Sequence, residues 1–178
     1  MSKKVLILLD ADVVIHLFKS GLVSLLQTLF PNRIAILDIV LNELRSNRTV
    51  SSFVDNLFVF TPIQEIAFPM KDLKILSEFA ILSSSLGKGE AATLIFCKYN
   101  QHIIASSNTR EIKPYCNQNH MAYLTTLDLL VIAVHKSVLS EADANLAILE
   151  IIEKGSFLIC NDLTTYKRHH FDNSKLFY

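Results

Sequence analysis

Apolar residues in this chain fall into two kinds of run. One kind is short and nearly unbroken: "KVLILLD", "RIAILD", "HIIASS" and "MAYLTT". Runs of that length without polar alternation predict strands covered on both faces, as in a parallel sheet. The other kind recurs at three- and four-residue intervals and predicts helices. "ADVVIHLFKSG" stops near Gly21 and "LVSLLQTLF" before Pro31, both common helix terminators. "IVLNELRS", "TVSSFVDNLF", "DLKILSEFAILSSSLG" and "GEAATLIFCKYN" follow, then "TREIKPYCNQN", read as helical despite Pro114. "LDLLVIAVHKSVL" and "SEADANLAILEIIEKG" complete the helices. "FVFTPI" reads as a weak strand and "SFLIC" as a candidate edge strand, ahead of the polar, basic "TTYKRHH". Strand and helix alternate, with crossovers long enough for parallel neighbours, so the predicted class is α/β. No repeat or Pro/Gly-rich linker divides the chain. Residues 1–155 are read as one domain, and 156–178 as a C-terminal tail packed on it or extending from it.

Composition narrows the picture. The chain has 178 residues, 51% of them hydrophobic, which is enough for one sizeable core. No apolar run reaches the length of a membrane span. The opening "MSKKVLILL" has the basic-then-apolar look of a secretory signal. Asp10 and Asp12 interrupt it, and no small-residue cleavage site follows. Three cysteines, Cys97, Cys116 and Cys160, make neither a spaced metal motif nor an even disulfide set, and imply a reducing cytoplasm. Seventeen basic residues balance seventeen acidic ones, so net charge implies neither nucleic acid nor membrane as partner, and a nucleic-acid role would need a local basic patch.

Chemistry enters where the apolar runs end. Asp10 closes the first strand, and in a parallel α/β sheet ligands gather beyond the carboxyl ends of the strands. Other acids hold matching places. Glu43 lies in "VLNEL", Glu90 in "GKGEAATLI" at a helix start, and Asp128 just past "MAYLTT". Carboxylates brought together raise one another's pKa unless a cation sits among them. Hard oxygen ligands without a His/Cys set point to Mg²⁺ or Mn²⁺, which can lower the pKa of bound water and clamp a phosphodiester.

On these residues the sequence resembles the PIN-domain nucleases. The resemblance rests on "LLDADVVIHLF" with Asp10, "IVLNEL" with Glu43, "GKGEAATLIFCKYN" with Glu90 and the strand–turn "HIIASSNTREI". It covers the chain from Val5 to about Leu139. It implies a three-layer α/β/α sandwich around a mostly parallel sheet, and metal-dependent cleavage of RNA. It also implies a homodimer and, commonly, the toxin half of a toxin–antitoxin pair. In that family the strand after the "GEAA" helix ends in one or two aspartates; here the place reads Ser106-Ser107-Asn108. Asparagine can lend a neutral carbonyl oxygen to a metal but no charge. Either Asp12 or Asp128 restores the acid count, with Asp128 the favoured replacement, or the site is weakened. In the latter case the protein is a poor nuclease, or a catalytically silent module that binds RNA or a protein partner.

Structural roles compete for several of these residues. Asp10 and Asp12 both suit the start of a helix. Asn108-x-x-Glu111 and Thr125-x-x-Asp128 both match capping arrangements. Six scattered histidines form no i, i+4 pair, which argues against zinc. Lys167 and Arg168 in the tail are candidates for tracking an RNA backbone.

Overall fold

The computed structural model describes residues 4–48 and 50–178. Residues 1–3 of the basic start, and Thr49 at the head of the predicted "TVSSFVDNLF" helix, lie outside the described residues.

Five short strands form one parallel sheet: β1 (Ile7–Leu9), β2 (Ile34–Leu37), β3 (Gln64–Ile66), β4 (Ile103–Ala105) and β5 (Tyr123–Leu124). Their spatial order is β3-β2-β1-β4-β5. Every pairing is parallel, with Leu8 opposite Ala35 on one side and Ile104 on the other. β1 is central and no atom of Ile7, Leu8 or Leu9 reaches solvent, which explains why its sequence is unbroken apolar. The chain builds outward to β3 on one side and then returns to place β4 against the opposite edge of β1. That reversal creates a crevice at the carboxyl ends of β1 and β4.

Ten α-helices cover the sheet among the described residues. α1 (Ala11–Lys19) and α2 (Leu25–Leu29) link β1 to β2; α3 (Asp38–Ser46) and α4 (Ser51–Phe60) link β2 to β3. α5 (Leu73–Leu82) and α6 (Lys88–Asn100) carry the chain back to β4, and α7 (Thr109–Gln118) lies between β4 and β5. α8 (Thr126–His135), α9 (Glu141–Glu153) and α10 (Leu163–His169) follow β5. α3 packs on α4 and α6, and α6 on α5, while α8 packs on α9, α10 and α1. The result is the expected three-layer α/β/α sandwich. No described helix is long and apolar enough to cross a membrane.

Two expectations need correction. "FVFTPI" is not a strand: α4 runs through Phe60, and β3 begins only at Gln64. "SFLIC" is not an edge strand: residues 156–160 are irregular, with Leu158 and Cys160 buried and Phe157 exposed. An inside-out alternation makes the same residue pattern as a strand, but this segment joins no strand of the sheet. The basic stretch "TTYKRHH" forms most of α10, where Tyr166 is buried and its neighbours in the stretch are exposed.

The C-terminal segment is anchored by a buried polar cluster. Lys175 lies in a short 3₁₀ turn (Asn173–Phe177) and donates to the Asp128 carboxylate at 2.7 Å. The Tyr166 hydroxyl donates to the other Asp128 oxygen at 2.7 Å, and Thr125 donates its amide at 2.8 Å. The ammonium also sits over the Tyr123 ring, 4.1 Å from its centroid.

Candidate active site

The loop connections at the carboxyl edge bring four elements to one groove. Asp10 and Asp12 come from the β1–α1 junction, Glu43 from α3, Glu90 from the first turn of α6, and Asn108 and Glu111 from the start of α7. Together they line a cavity of about 220 Å³. Among the described residues lining it none is basic.

Each placement has a local cause. Asp10 continues the β1–β4 ladder, its amide donating to the Ala105 carbonyl at 2.9 Å, so its side chain emerges at the end of the sheet. It stands at the N-cap of α1 but makes no side-chain capping bond, which removes its simplest structural role. Asp12 is held from across the crevice: it accepts the Ser107 amide at 2.7 Å and the Val13 amide at 2.6 Å. Ser107 in turn bridges to Thr126, whose hydroxyl meets buried His16 at 2.9 Å. Burial lowers the His16 pKa to about 4, with Lys19 adding to the effect, so this histidine is a neutral packing residue at physiological pH.

Glu43 reaches the groove because α3 and α6 touch at a glycine. A Cβ built on Gly89 would lie 2.5 Å from a Glu43 carboxylate oxygen and 3.3 Å from Val40. Only glycine leaves that space open, and the Glu43 carboxylate occupies it. Gly89→Ala is therefore expected to fold but to push Glu43 aside. A calorimetric Mn²⁺ titration should show weakened binding beside a near-normal melting temperature.

The electrostatics of the groove are those of acids without a counter-ion. Burial, then the charges of Asp12 and Glu43, raise the Asp10 pKa well above the carboxylate range. Glu90 is raised by burial, by a hydrogen bond shared with Glu111 and by the charges of Asp10, Glu111 and Asp12. Asp12 is raised less, because the Ser107 and Val13 amides stabilise its anion. The Glu90 Oε1 atom is buried with no hydrogen-bond partner, a costly condition that an added ligand would relieve.

Of the acids expected from sequence, Asp10, Glu43 and Glu90 share this groove and Asp128 does not. The correction has a plain cause: Thr125 and Asp128 form a reciprocal capping box on α8, and Lys175 and Tyr166 take the remaining oxygen capacity. Asp128 is fully buried and committed to structure. Asn108 behaves in the opposite way. It makes no side-chain cap, and its amide nitrogen instead approaches Glu90 Oε2 at 3.4 Å. Lys167 pairs with Glu141 at 2.9 Å, Arg168 is exposed on α10, and neither lines the groove. Sequence reasoning missed Glu111. Its only signal was the one-turn spacing from Asn108, which a capping motif explained equally well.

The donor set suits a hard divalent cation: carboxylates from four elements, an amide, an unpartnered buried oxygen and no basic group among the described lining residues. Among the described residues, no three acidic, imidazole or thiol side chains are already drawn to metal-ligand spacing. The acids line the walls of the groove.

An open parallel sheet with an acidic crevice at its switch point defines a class of α/β domains rather than a single protein. Comparison with known families makes the assignment. The family model described as a PIN domain matches residues 6–166, and the chain belongs to that family. No curated protein and no solved structure matches it.

Proposed function

We propose that this chain is a ribonuclease dependent on Mg²⁺ or Mn²⁺, with Asp10, Glu43 and Glu90 as the ligand core. Asp12 and Glu111 supply the charge that Asn108 lacks. The observation that carries the reading is the unpartnered, buried Glu90 Oε1 inside a groove lined by five carboxylates and no base. A divalent cation held by Asp10, Glu43 and Glu90 would supply Lewis acidity and lower the pKa of water. The protein's own part is to hold the carboxylates together and to repel phosphate until their charge is compensated. It also fixes Asp12 through the Ser107 and Val13 amides, so that its carboxylate does not rotate away. No side-chain nucleophile is required.

Asn108 favours a second reading. A neutral amide where relatives carry an acid lowers ligand charge, so affinity on the order of millimolar is expected. Below that concentration the domain is a silent module that binds RNA or a protein. An antitoxin partner and a homodimer belong to the same proposal. α2 directs Leu25, Leu26 and Leu29 into the core, but α5 and its approach leave Met70, Leu73 and Ile81 exposed, an apolar face suited to association.

The test pairs calorimetric Mn²⁺ titration with cleavage of a fluorogenic single-stranded RNA by wild type and Asp10→Asn. Even outer-shell partners of a metal cost about 10–100-fold when removed. Loss of Asp10 should therefore cost at least about 100-fold in cleavage and abolish measurable Mn²⁺ uptake. Wild type that binds Mn²⁺ no better than Asp10→Asn would leave the silent module as the reading.

A further inference from the structure

The irregular segment between α9 and α10 has no role in the acid groove, yet its side chains are arranged beside it. Leu158 and Cys160 are buried, which pins the segment to the core and turns the alternate residues outward. Phe157 is 82% exposed and Ile159 41% exposed as a result. Leaving a phenylalanine that open is unfavourable in water, and this one is not scattered on a convex face. It borders a second cavity, of about 270 Å³, whose other walls include Asp12, Ser107, Asn108, Arg110 and Ile159. Asp12 and Asn108 line both cavities, so the two adjoin.

The second cavity differs in chemistry from the first. It offers an aromatic face, an aliphatic edge, hydroxyl and amide groups from the start of α7, and one guanidinium. Those are the parts that hold a nucleotide of a single strand: a ring to stack on, polar groups for the base edge, and a cation for the phosphate. We propose that this cavity is a nucleotide subsite that seats a base of single-stranded RNA adjacent to the phosphate in the acid groove. Phe157 stacks on the base, and Arg110 pairs with the neighbouring phosphate. This inference rests on the ribonuclease reading above. It gives that reading a means of selecting single strands, because a base held in a duplex cannot leave its stack to reach Phe157.

The experiment is fluorescence anisotropy of a fluorescein-tagged single-stranded oligoribonucleotide, with Ca²⁺ in place of Mn²⁺ to suppress cleavage. It is run for wild type, Phe157→Ala, Phe157→Tyr and Arg110→Gln, and repeated with an RNA of equal length carrying abasic sites. Stacking on an aromatic side chain contributes an amount equivalent to roughly 5–100-fold in affinity per base. Phe157→Ala should lose that factor on the intact RNA and nothing on the abasic RNA, and Phe157→Tyr should retain it. Arg110→Gln should weaken both RNAs and reduce the salt slope by about 0.7, the single-strand value for one phosphate contact. Phe157 is exposed, so these variants should fold normally, with melting temperatures and Mn²⁺ titrations unchanged from wild type. Intact RNA bound equally by wild type and Phe157→Ala, with Mn²⁺ taken up normally, would overturn the subsite alone. Wild type that binds neither Mn²⁺ nor RNA would overturn the ribonuclease reading and the subsite together.

Discussion

Replacing Lys175 by alanine is expected to lower the melting temperature by roughly 10 °C, although the residue lies only three positions before Tyr178. The Lys175 ammonium and the Asp128 carboxylate meet at 2.7 Å with almost no solvent contact on either side chain. Removing one member of a buried pair strands the other charge, at a cost of about 3–5 kcal/mol. For a chain of this size each kcal/mol is worth about 2–4 °C. The loss of the cation above the Tyr123 ring adds to it. Asp128 would keep only the Tyr166 hydroxyl and Thr125 amide. The double variant Asp128→Asn, Lys175→Met removes both charges and should recover a large part of the loss. Thermal unfolding by circular dichroism measures both. Mn²⁺ titration of Lys175→Ala at low temperature should match wild type, because the cluster does not reach the acid groove. A melting temperature within two or so degrees of wild type (about 1 kcal/mol) would show that the pair is not closed in solution. Weakened Mn²⁺ binding at low temperature would return Asp128 to the site.

Asp128 also shows where reading the sequence reached its limit. The alternation of strands and helices, and three of the acids that line the groove, were legible because they depend on local facts. Unbroken apolar runs mark doubly covered strands, and Asp10 follows such a run directly. Glu90 sits one turn into a helix opened by glycines. Position alone does not assign a role, however. Asp38 ends β2 as Asp10 ends β1, yet Asp38 accepts the Ile39 and Phe68 amides at 2.8 and 3.0 Å and is absent from the groove. Asp128 and Asn108 both carried capping signatures, and the structure divides them. What divides them is remote in the chain: Lys175 and Tyr166 for Asp128, Glu90 for Asn108. The same holds for residues 156–160. Their alternation was visible, but whether it paired with a sheet or simply turned Phe157 outward depended on how α9 and α10 leave the core.

In the absence of metal, this protein should become less stable as pH rises from about 5 to about 9, against the usual behaviour of a domain rich in carboxylates. Burial and mutual repulsion push the pKa of Asp10 from 3.8 up to about 8 and of Glu90 from 4.5 up to about 9. The folded chain therefore holds protons that the unfolded chain has released. The stabilising contribution is complete below pH 4 and disappears as pH climbs through the folded values. One proton held over one pH unit corresponds to about 1.4 kcal/mol, so the two acids together should cost at least several kcal/mol, and no less than roughly 10 °C, across that window. Divalent cations act in the other direction, since they bind only the deprotonated carboxylates. Saturating Mg²⁺, at about 100 times its dissociation constant, should return about 2.7 kcal/mol at the alkaline end and almost nothing at pH 5. Melting temperatures in chelator and in Mg²⁺ across pH 5–9 give both curves. Asp10→Asn provides the internal control. With one ionising group removed from the groove, it should melt higher than wild type at pH 8 in chelator, yet respond little to Mg²⁺. A structural aspartate would show the reverse, losing stability on substitution with no change in metal response. A chelated wild type whose melting temperature is flat or rising between pH 5 and 8 would mean that these acids are already compensated, and the groove would then have no need of a cation.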